Sequence, residues 1–285
     1  MSQAQRSRRE GDFELTSKPR RRNGLLASAV DMDNMNGKPA KRKKFSHDTA
    51  GVLALLANGE MNVEELVPWS SNYTFLVKVH DSAQETLAIY KPSRGERPLW
   101  DFPSGTLAKR EVAAYLVSAA LGWPNIPPSV LRDGPEGEGV VQLFIETVDD
   151  QQFFTLRDAH RDEMKRIAAF DALVNNTDRK GGHILLGRDG CIWCIDHGVT
   201  FHEYPKLRTV VWDFIEQPIP ADLLKDICEL QLRLMRADDP TTQSLAGLLS
   251  RREFRALRQR IDELIQSGVY PSPPEDWPPV PWPPI

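Results

Sequence analysis

Hydrophobic and polar residues alternate along YTFLVKVH (73–80), and again along ETLAIYK (85–91) after the short polar turn HDSAQ. A period of two with β-branched residues predicts a two-stranded hairpin, with Leu87, Ile89 and Lys91 on one face of its second strand. The period then lengthens. Leu107, Val112, Tyr115, Leu116, Ala119 and Ala120 line one side of a helix expected from about Thr106 to Leu121, with Ser104 placed to cap it. GWPNIPPS breaks that helix, and GVVQLFIE (139–146) reads as a further apolar strand. Residues 158–175 return to helical spacing through Met164, Ile167, Ala168, Asp171 and Ala172. HILLGRDGCIWCID then predicts a hairpin turning at Asp189-Gly190, and two more helices follow at roughly 220–236 and 250–267. Strands dominate the first half and helices the second. The pattern predicts an α+β chain in two lobes, residues 50–148 and 149–270, flanked by tails.

The tails differ in composition from the body. Residues 1–49 hold 12 Lys/Arg against 6 Asp/Glu, in a polar background that cannot bury a core, so a disordered basic tail is expected. Such a segment serves as an electrostatic tether to acidic lipid or nucleic acid, or simply as a solvated tail. The remainder carries 24 basic against 34 acidic residues, which argues against nonspecific nucleic-acid binding by the body. The last 15 residues, PSPPEDWPPVPWPPI, contain eight prolines and favour extended polyproline II. They read either as a ligand for a partner's aromatic groove or as a segment packed back through Trp277 and Trp282.

Three cysteines, Cys191, Cys194 and Cys228, do not make a disulfide scaffold. The C-x-x-C pair falls in a strand, where positions three apart face opposite sides, so packing is its expected role. No apolar run has the length of a membrane span and no secretory leader is seen, which leads to the expectation of a soluble cytoplasmic protein.

The chemistry concentrates in NNTDRKGGHILL (175–186) and CIWCIDHGVTF (191–201). Asp178 sits in a loop after a long helix, His183 follows five residues later, and Asp196 ends the returning strand. Two carboxylates and an imidazole near one point suit phosphoryl transfer: one carboxylate orients the attacking hydroxyl, and the other holds a divalent ion on the phosphates with a third ligand beside it.

DRKGGHILL followed by IDHG resembles the catalytic and metal-binding loops of the phosphatidylinositol 3-/4-kinase superfamily, which read D-R-x-x-x-N and D-F-G. NNTDR also resembles the loop of HipA-type serine/threonine kinases. More narrowly, LVNNTDRKGGHILL, IDHGVTFH and KLRTVVWDF are similar to an uncharacterised actinobacterial family of phosphatidylinositol-kinase-like proteins, a likeness covering about residues 50–270. The resemblance implies a two-lobed protein-kinase-like fold and an ATP-dependent kinase. Asp178 would be the catalytic base, and His183 and Asp196 would hold Mg²⁺ or Mn²⁺. Lys91 of LAIYK would hold the nucleotide phosphates, supported by Glu111 of KREVAAYL. VVQLFIE would join the lobes beside the adenine. In place of a glycine-rich phosphate loop stands VPWSSNYTFL, where Ser70, Ser71 and Asn72 would cradle phosphate. Arg179, Lys206 and Arg208 are candidates to contact substrate or phosphate, with loop bracing or solvated charge as the plainer alternative. His183 replaces the usual Asn, and His197 stands where the triplet usually has Phe. These departures keep open a second function, a nucleotide-binding pseudokinase acting as an interaction module. The acceptor is left as a lipid, a protein Ser/Thr or a small polyol.

Overall fold

A computed structural model describes residues 49–67, 72–123 and 126–285, and the basic tail expected over 1–49 lies almost wholly outside them. The first lobe is built from α1 (Thr49–Asn58), β1 (Glu60–Leu66), β2 (Phe75–His80), β3 (Glu85–Pro92), α2 (Leu107–Leu121), β4 (Ser129–Gly134) and β5 (Gly137–Leu143). Its antiparallel sheet has the order β1-β2-β3-β5-β4. The predicted hairpin is β2–β3, with Val77 opposite Ala88 and Phe75 opposite Tyr90. Its turn is held by Asp81, whose Oδ1 accepts the N–H groups of Ala83 and Gln84 at 2.7 and 2.9 Å.

Alternation decides what each face of this sheet does. Val77, Val79, Ala88, Tyr90 and Val141 point to the back, where Leu55 and Leu56 of α1 cover them. Leu87, Ile89 and Lys91 therefore point to the front. β5 approaches β3 closely at Gly139, where a Cβ would lie 2.4 Å from the Lys91 carbonyl oxygen. Only glycine fits there, so the strand carrying Lys91 is held tightly against its neighbour.

The second lobe contains β6 (Thr147–Gln152), α3 (Phe153–Leu156), α4 (Arg161–Val174), β7 (Ile184–Gly187), β8 (Ile192–Cys194), α5 (Ala221–Leu234), α6 (Pro240–Leu248) and α7 (Arg251–Ser267). β6, β7 and β8 form a small antiparallel sheet in that order. The β7–β8 hairpin turns at Asp189-Gly190, as the pattern predicts, with Gly190 at φ +79°. α4 is the central helix: Met164, Ile167, Phe170, Leu173 and Val174 are buried among residues of α2, α5 and α7.

α2 serves both lobes. Ala108 and Val112 pack on Val140 of β5, while Ala113, Tyr115 and Val117 join the core of the second lobe. Arg110, 2% exposed, donates to the Thr200 carbonyl at 2.7 Å and pairs with Glu253 of α7. Ser104 does not cap this helix. Its flanking residue is Thr106, and the carboxylate that reaches its first turn is Glu96, which accepts the Ala108 N–H at 2.9 Å. A caps-from-sequence reading misses it because Glu96 arrives from the preceding loop.

The proline-rich segment packs back on the second lobe. Trp277 lies beside Lys206 and Arg208, whereas Trp282 is 87% exposed and does not take part in the packing expected of it. Among the described residues, no helix is long and apolar enough to cross a membrane.

Candidate active site

The loop after α4 is organised by its own polar side chains. Asn175 ends the helix in the left-handed conformation, φ +52°, a conformation asparagine tolerates. Its side-chain amide donates to the carbonyls of His202 and Tyr204, and its Oδ1 accepts the Lys206 N–H at 2.9 Å. Asn176 donates to Asp171 Oδ1 at 3.0 Å and accepts the Asp178 N–H at 3.0 Å. Thr177 donates to the Val199 carbonyl through both its backbone and its hydroxyl. The NNT preceding Asp178 thus fixes the position of that carboxylate from three directions.

Six of the expected residues meet at one cavity of about 200 Å³: Asn72, Lys91, Glu111, Asp178, His183 and Asp196 all line it. Lys91 Nζ lies 2.7 Å from Glu111 Oε1 and 2.7 Å from Asp196 Oδ1. Burial pulls the Lys91 ammonium toward neutrality, but the two carboxylates raise its pKa well above the ordinary lysine value. Lys91 in turn holds Asp196 below the usual carboxylate range. Asp196 has φ +63°, and its neighbour His197 donates its backbone N–H to Glu111 Oε2 at 2.9 Å. Asp178 behaves differently: burial raises its pKa, opposed by Lys180, whose Nζ lies 3.1 Å away.

His183 Nε2 is 3.4 Å from Asp196 Oδ2, and its Nδ1 accepts the Lys180 N–H at 3.4 Å. Burial pushes this imidazole down to about 4, so it is neutral at physiological pH, with its proton on Nε2 toward Asp196; ligation of a metal through Nε2 would take the other tautomer, which gives up the Lys180 contact. Among the described residues, no three His, Cys, Asp or Glu side chains come close enough to hold a metal by themselves. The donor set fits an ion that takes two ligands from Asp196 and His183 and the rest from phosphate and water, as hard divalent ions at nucleotide sites do.

Of the cationic candidates, Arg179, Lys206 and Arg208 do not line this cavity. Arg179 is fully buried and faces inward. Its guanidinium pairs with Asp171 at 3.0 Å, donates to the Ile195 carbonyl at 2.9 Å and lies 2.6 Å from His197 Nε2. These contacts brace the loops, the second of the two roles left open for it. Lys206 is 9% exposed, paired with Asp101 at 2.5 Å and covered by the rings of Trp100 and Trp277. Its charge is already neutralised, so the expected substrate contact is not available to it here. Arg208 is half-buried beside Trp277. Ser70 and Ser71 lie outside the described residues. Asn72 lines the cavity, and its Oδ1 accepts the Arg97 N–H at 2.8 Å. His202 contacts the Asp101 carbonyl and the Phe102 ring. Between the lobes, the Phe144 N–H is engaged by the Leu87 carbonyl, and the Glu146 carbonyl already accepts the Arg188 N–H.

Lys180, Glu96 and Asp171 escaped the sequence reading as site residues. Lys180 and Asp171 had signals: a cation two positions from the candidate base, and an acid on the apolar stripe of a helix. Glu96 had none in its own segment.

This is a kinase-like two-lobed fold, with sheet and helical lobes meeting at a polar cavity. Against solved structures it resembles the Golgi casein kinase crystallised with Mn/ADP bound, with a TM-score of 0.50 at 12% identity over 78% of this chain and 76% of that one. The chain belongs to the same family as Protein Rv2133c of Mycobacterium tuberculosis, to which it is 39% identical over 264 residues, 79% of this chain and 94% of that protein. It is also 26% identical over 161 residues to phosphatidylinositol 4-kinase gamma 3 of Arabidopsis thaliana, spanning 44% of this chain but only 28% of that enzyme. No protein-family profile matches the chain.

Proposed function

We propose that this chain is an ATP-dependent phosphotransferase that moves the γ-phosphate to a hydroxyl acceptor. The observation that carries the reading is Lys91 held between Glu111 and Asp196, with Asp178 and His183 on the same cavity wall. Lys91 would hold the nucleotide phosphates, and Glu111 would keep that ammonium in place. Asp178 would orient the acceptor hydroxyl and take its proton; a carboxylate whose pKa burial raises is better matched to that task than a fully solvated one. A divalent ion resting on Asp196 and His183 would neutralise phosphate charge. Mn²⁺ suits an imidazole ligand better than Mg²⁺ does, and the Golgi casein kinase structure with Mn/ADP supports testing that ion first. The rate gain would come from positioning and charge stabilisation. The resemblance to lipid kinases supports a phosphoinositide among the acceptors, but fold does not fix substrate, and a protein Ser/Thr or a polyol stands beside it.

One feature favours a second reading. Lys180 pairs with Asp178 in this state, so the candidate base is occupied, as it would be in a nucleotide-binding pseudokinase. Calorimetry of ATP with Mg²⁺ and with Mn²⁺, on the wild type and Asp196→Ala, tests the site. Metal-dependent binding that the variant loses is the expected result. Binding with neither metal would overturn the nucleotide reading, and binding without transfer to any acceptor would favour the pseudokinase.

A further inference from the structure

The chain's own proline-rich end lies against the catalytic loop. The Gly181 N–H, three residues after Asp178, donates to the Pro284 carbonyl at 2.7 Å. The Thr209 N–H donates to the Pro279 carbonyl at 2.9 Å, and Trp212 Nε1 reaches the same oxygen at 3.0 Å. The 208–210 segment is itself bound to Arg179, the residue next to Asp178: Arg179 N–H donates to the Arg208 carbonyl and Val210 N–H to the Arg179 carbonyl. Both anchor points of the tail therefore lie on the loop that carries Asp178 or on the segment bonded to it.

We propose that the groove formed by Gly181, Thr209 and Trp212 is a peptide-binding site beside Asp178, held in the resting chain by residues 276–285, and that the acceptor entering it is an extended polypeptide. The proposal rests on the phosphotransferase reading. Its chemistry is that of main-chain recognition: all three donors address backbone carbonyls, and none requires a particular tail side chain. Proline suits such an occupant because it offers a carbonyl and no N–H, in an already extended conformation. Trp277 adds an anchor under the cations of Lys206 and Arg208, at 5.1 and 5.9 Å from the ring centre. The hold is partial. Pro281 is buried, but Trp282 and Ile285 are 87% and 65% exposed. A lipid headgroup fits less well, because Lys206 is already paired with Asp101 and Arg208 is covered by Trp277.

The test uses a fluorescein-labelled synthetic peptide of residues 276–285, the full chain, a chain ending at Glu275, and full-length Trp277→Ala. The peptide is expected to bind the shortened chain at least tenfold more tightly than the full chain. A degenerate Ser/Thr peptide pool is expected to be phosphorylated faster by the shortened chain than by the full chain, and phosphatidylinositol vesicles are not. Equal binding to both chains, no binding to a folded shortened chain, or preference for the vesicles overturns the proposal. Should the shortened chain not fold, Trp277→Ala decides: faster hydrogen exchange at the Gly181 and Thr209 amides supports it, and unchanged exchange overturns it. Calorimetry with ATP runs alongside. Loss of ATP binding in every chain defeats the nucleotide reading, while the peptide titration still reports on the groove.

Discussion

Lys91 Nζ lies 2.7 Å from Glu111 on α2 and 2.7 Å from Asp196 after β8, so a single ammonium joins three parts of the fold. Glu111 closes the loop by accepting the His197 N–H with its other oxygen. One cation facing two carboxylates leaves the cluster net negative, which suits the proposed binding of a divalent ion there. Replacing Lys91 with Met leaves the two carboxylates repelling each other across an empty position. We expect Lys91→Met to lower turnover by on the order of 10²-fold, and Glu111→Gln by less. Because the two residues share one contact, the double variant should fall well short of the product of the single losses. Steady-state kinetics on the three variants measures this, and simple multiplicativity would show that they act separately.

Asp178 should separate chemistry from binding. It faces the cavity with its backbone set by Asn176, and its ion pair is with Lys180 and not with Lys91. Asp178→Asn keeps the shape and removes the proton acceptor. Turnover is expected to drop by roughly 10²-fold or more, with ATP affinity within about threefold of wild type, since the contacts that would hold the nucleotide phosphates are elsewhere. A variant that transfers phosphate at the wild-type rate would remove Asp178 from the role of base.

Much of this arrangement was legible in the residues because it rests on periodicity. The β2–β3 alternation put Lys91 on the front face, and the β7–β8 hairpin delivered Asp196. Glu111 was found through the kinase resemblance, which implies a glutamate on the helix after β3. What stayed hidden depended on contacts between segments distant in sequence. Short or weakly patterned elements were missed: β1 reads EMNVEEL, with five glutamate, asparagine or methionine positions among seven, and β4 reads SVLRDG. Neither signals a strand alone; each is made one by pairing with its neighbour. Lys206 and Arg208 looked like free cations because nothing local shows that Asp101 and Trp277, 105 and 69 positions away, would cover them. Arg179 looked equally able to contact substrate or to brace, and only the burial of Asp171 in α4 decides it.

That pair supports a stability prediction. Arg179 and Asp171 are both fully buried, and the guanidinium also holds the carbonyl that precedes Asp196 and the ring that follows it. Removing one partner strands the other charge in a dry interior. Arg179→Met and Asp171→Leu are each expected to cost about 3–5 kcal/mol, read as a lowered urea midpoint at unchanged slope. Substituting both should cost less than the sum. If Arg179→Met unfolds like the wild type but loses turnover, the guanidinium acts on substrate after all.

The two histidines next to Asp196 set a pH dependence whose sign is fixed by burial. His183 faces Asp196 Oδ2 and the Lys180 N–H, and burial pushes it down to about 4. His197 faces Arg179 Nη2 and the Phe170 ring, and burial, reinforced by that guanidinium, holds it well below the ordinary histidine value. In the unfolded chain both titrate near the ordinary value of about 6.5. As the pH falls through that value the unfolded chain gains protons that the folded one refuses until about pH 4, so stability is full above 6.5 and declines below it. Asp178, whose carboxyl burial raises, works in the opposite direction, but chiefly nearer its own acidic range. A loss on the order of 1–3 kcal/mol is expected between pH 7.5 and pH 4.5, measured as urea midpoints across the range. His197→Gln should flatten the slope, since its side chain carries no titrating proton. A midpoint independent of pH over that interval would mean that the two imidazoles are solvated, and that His183 is not the buried, neutral ligand the site requires.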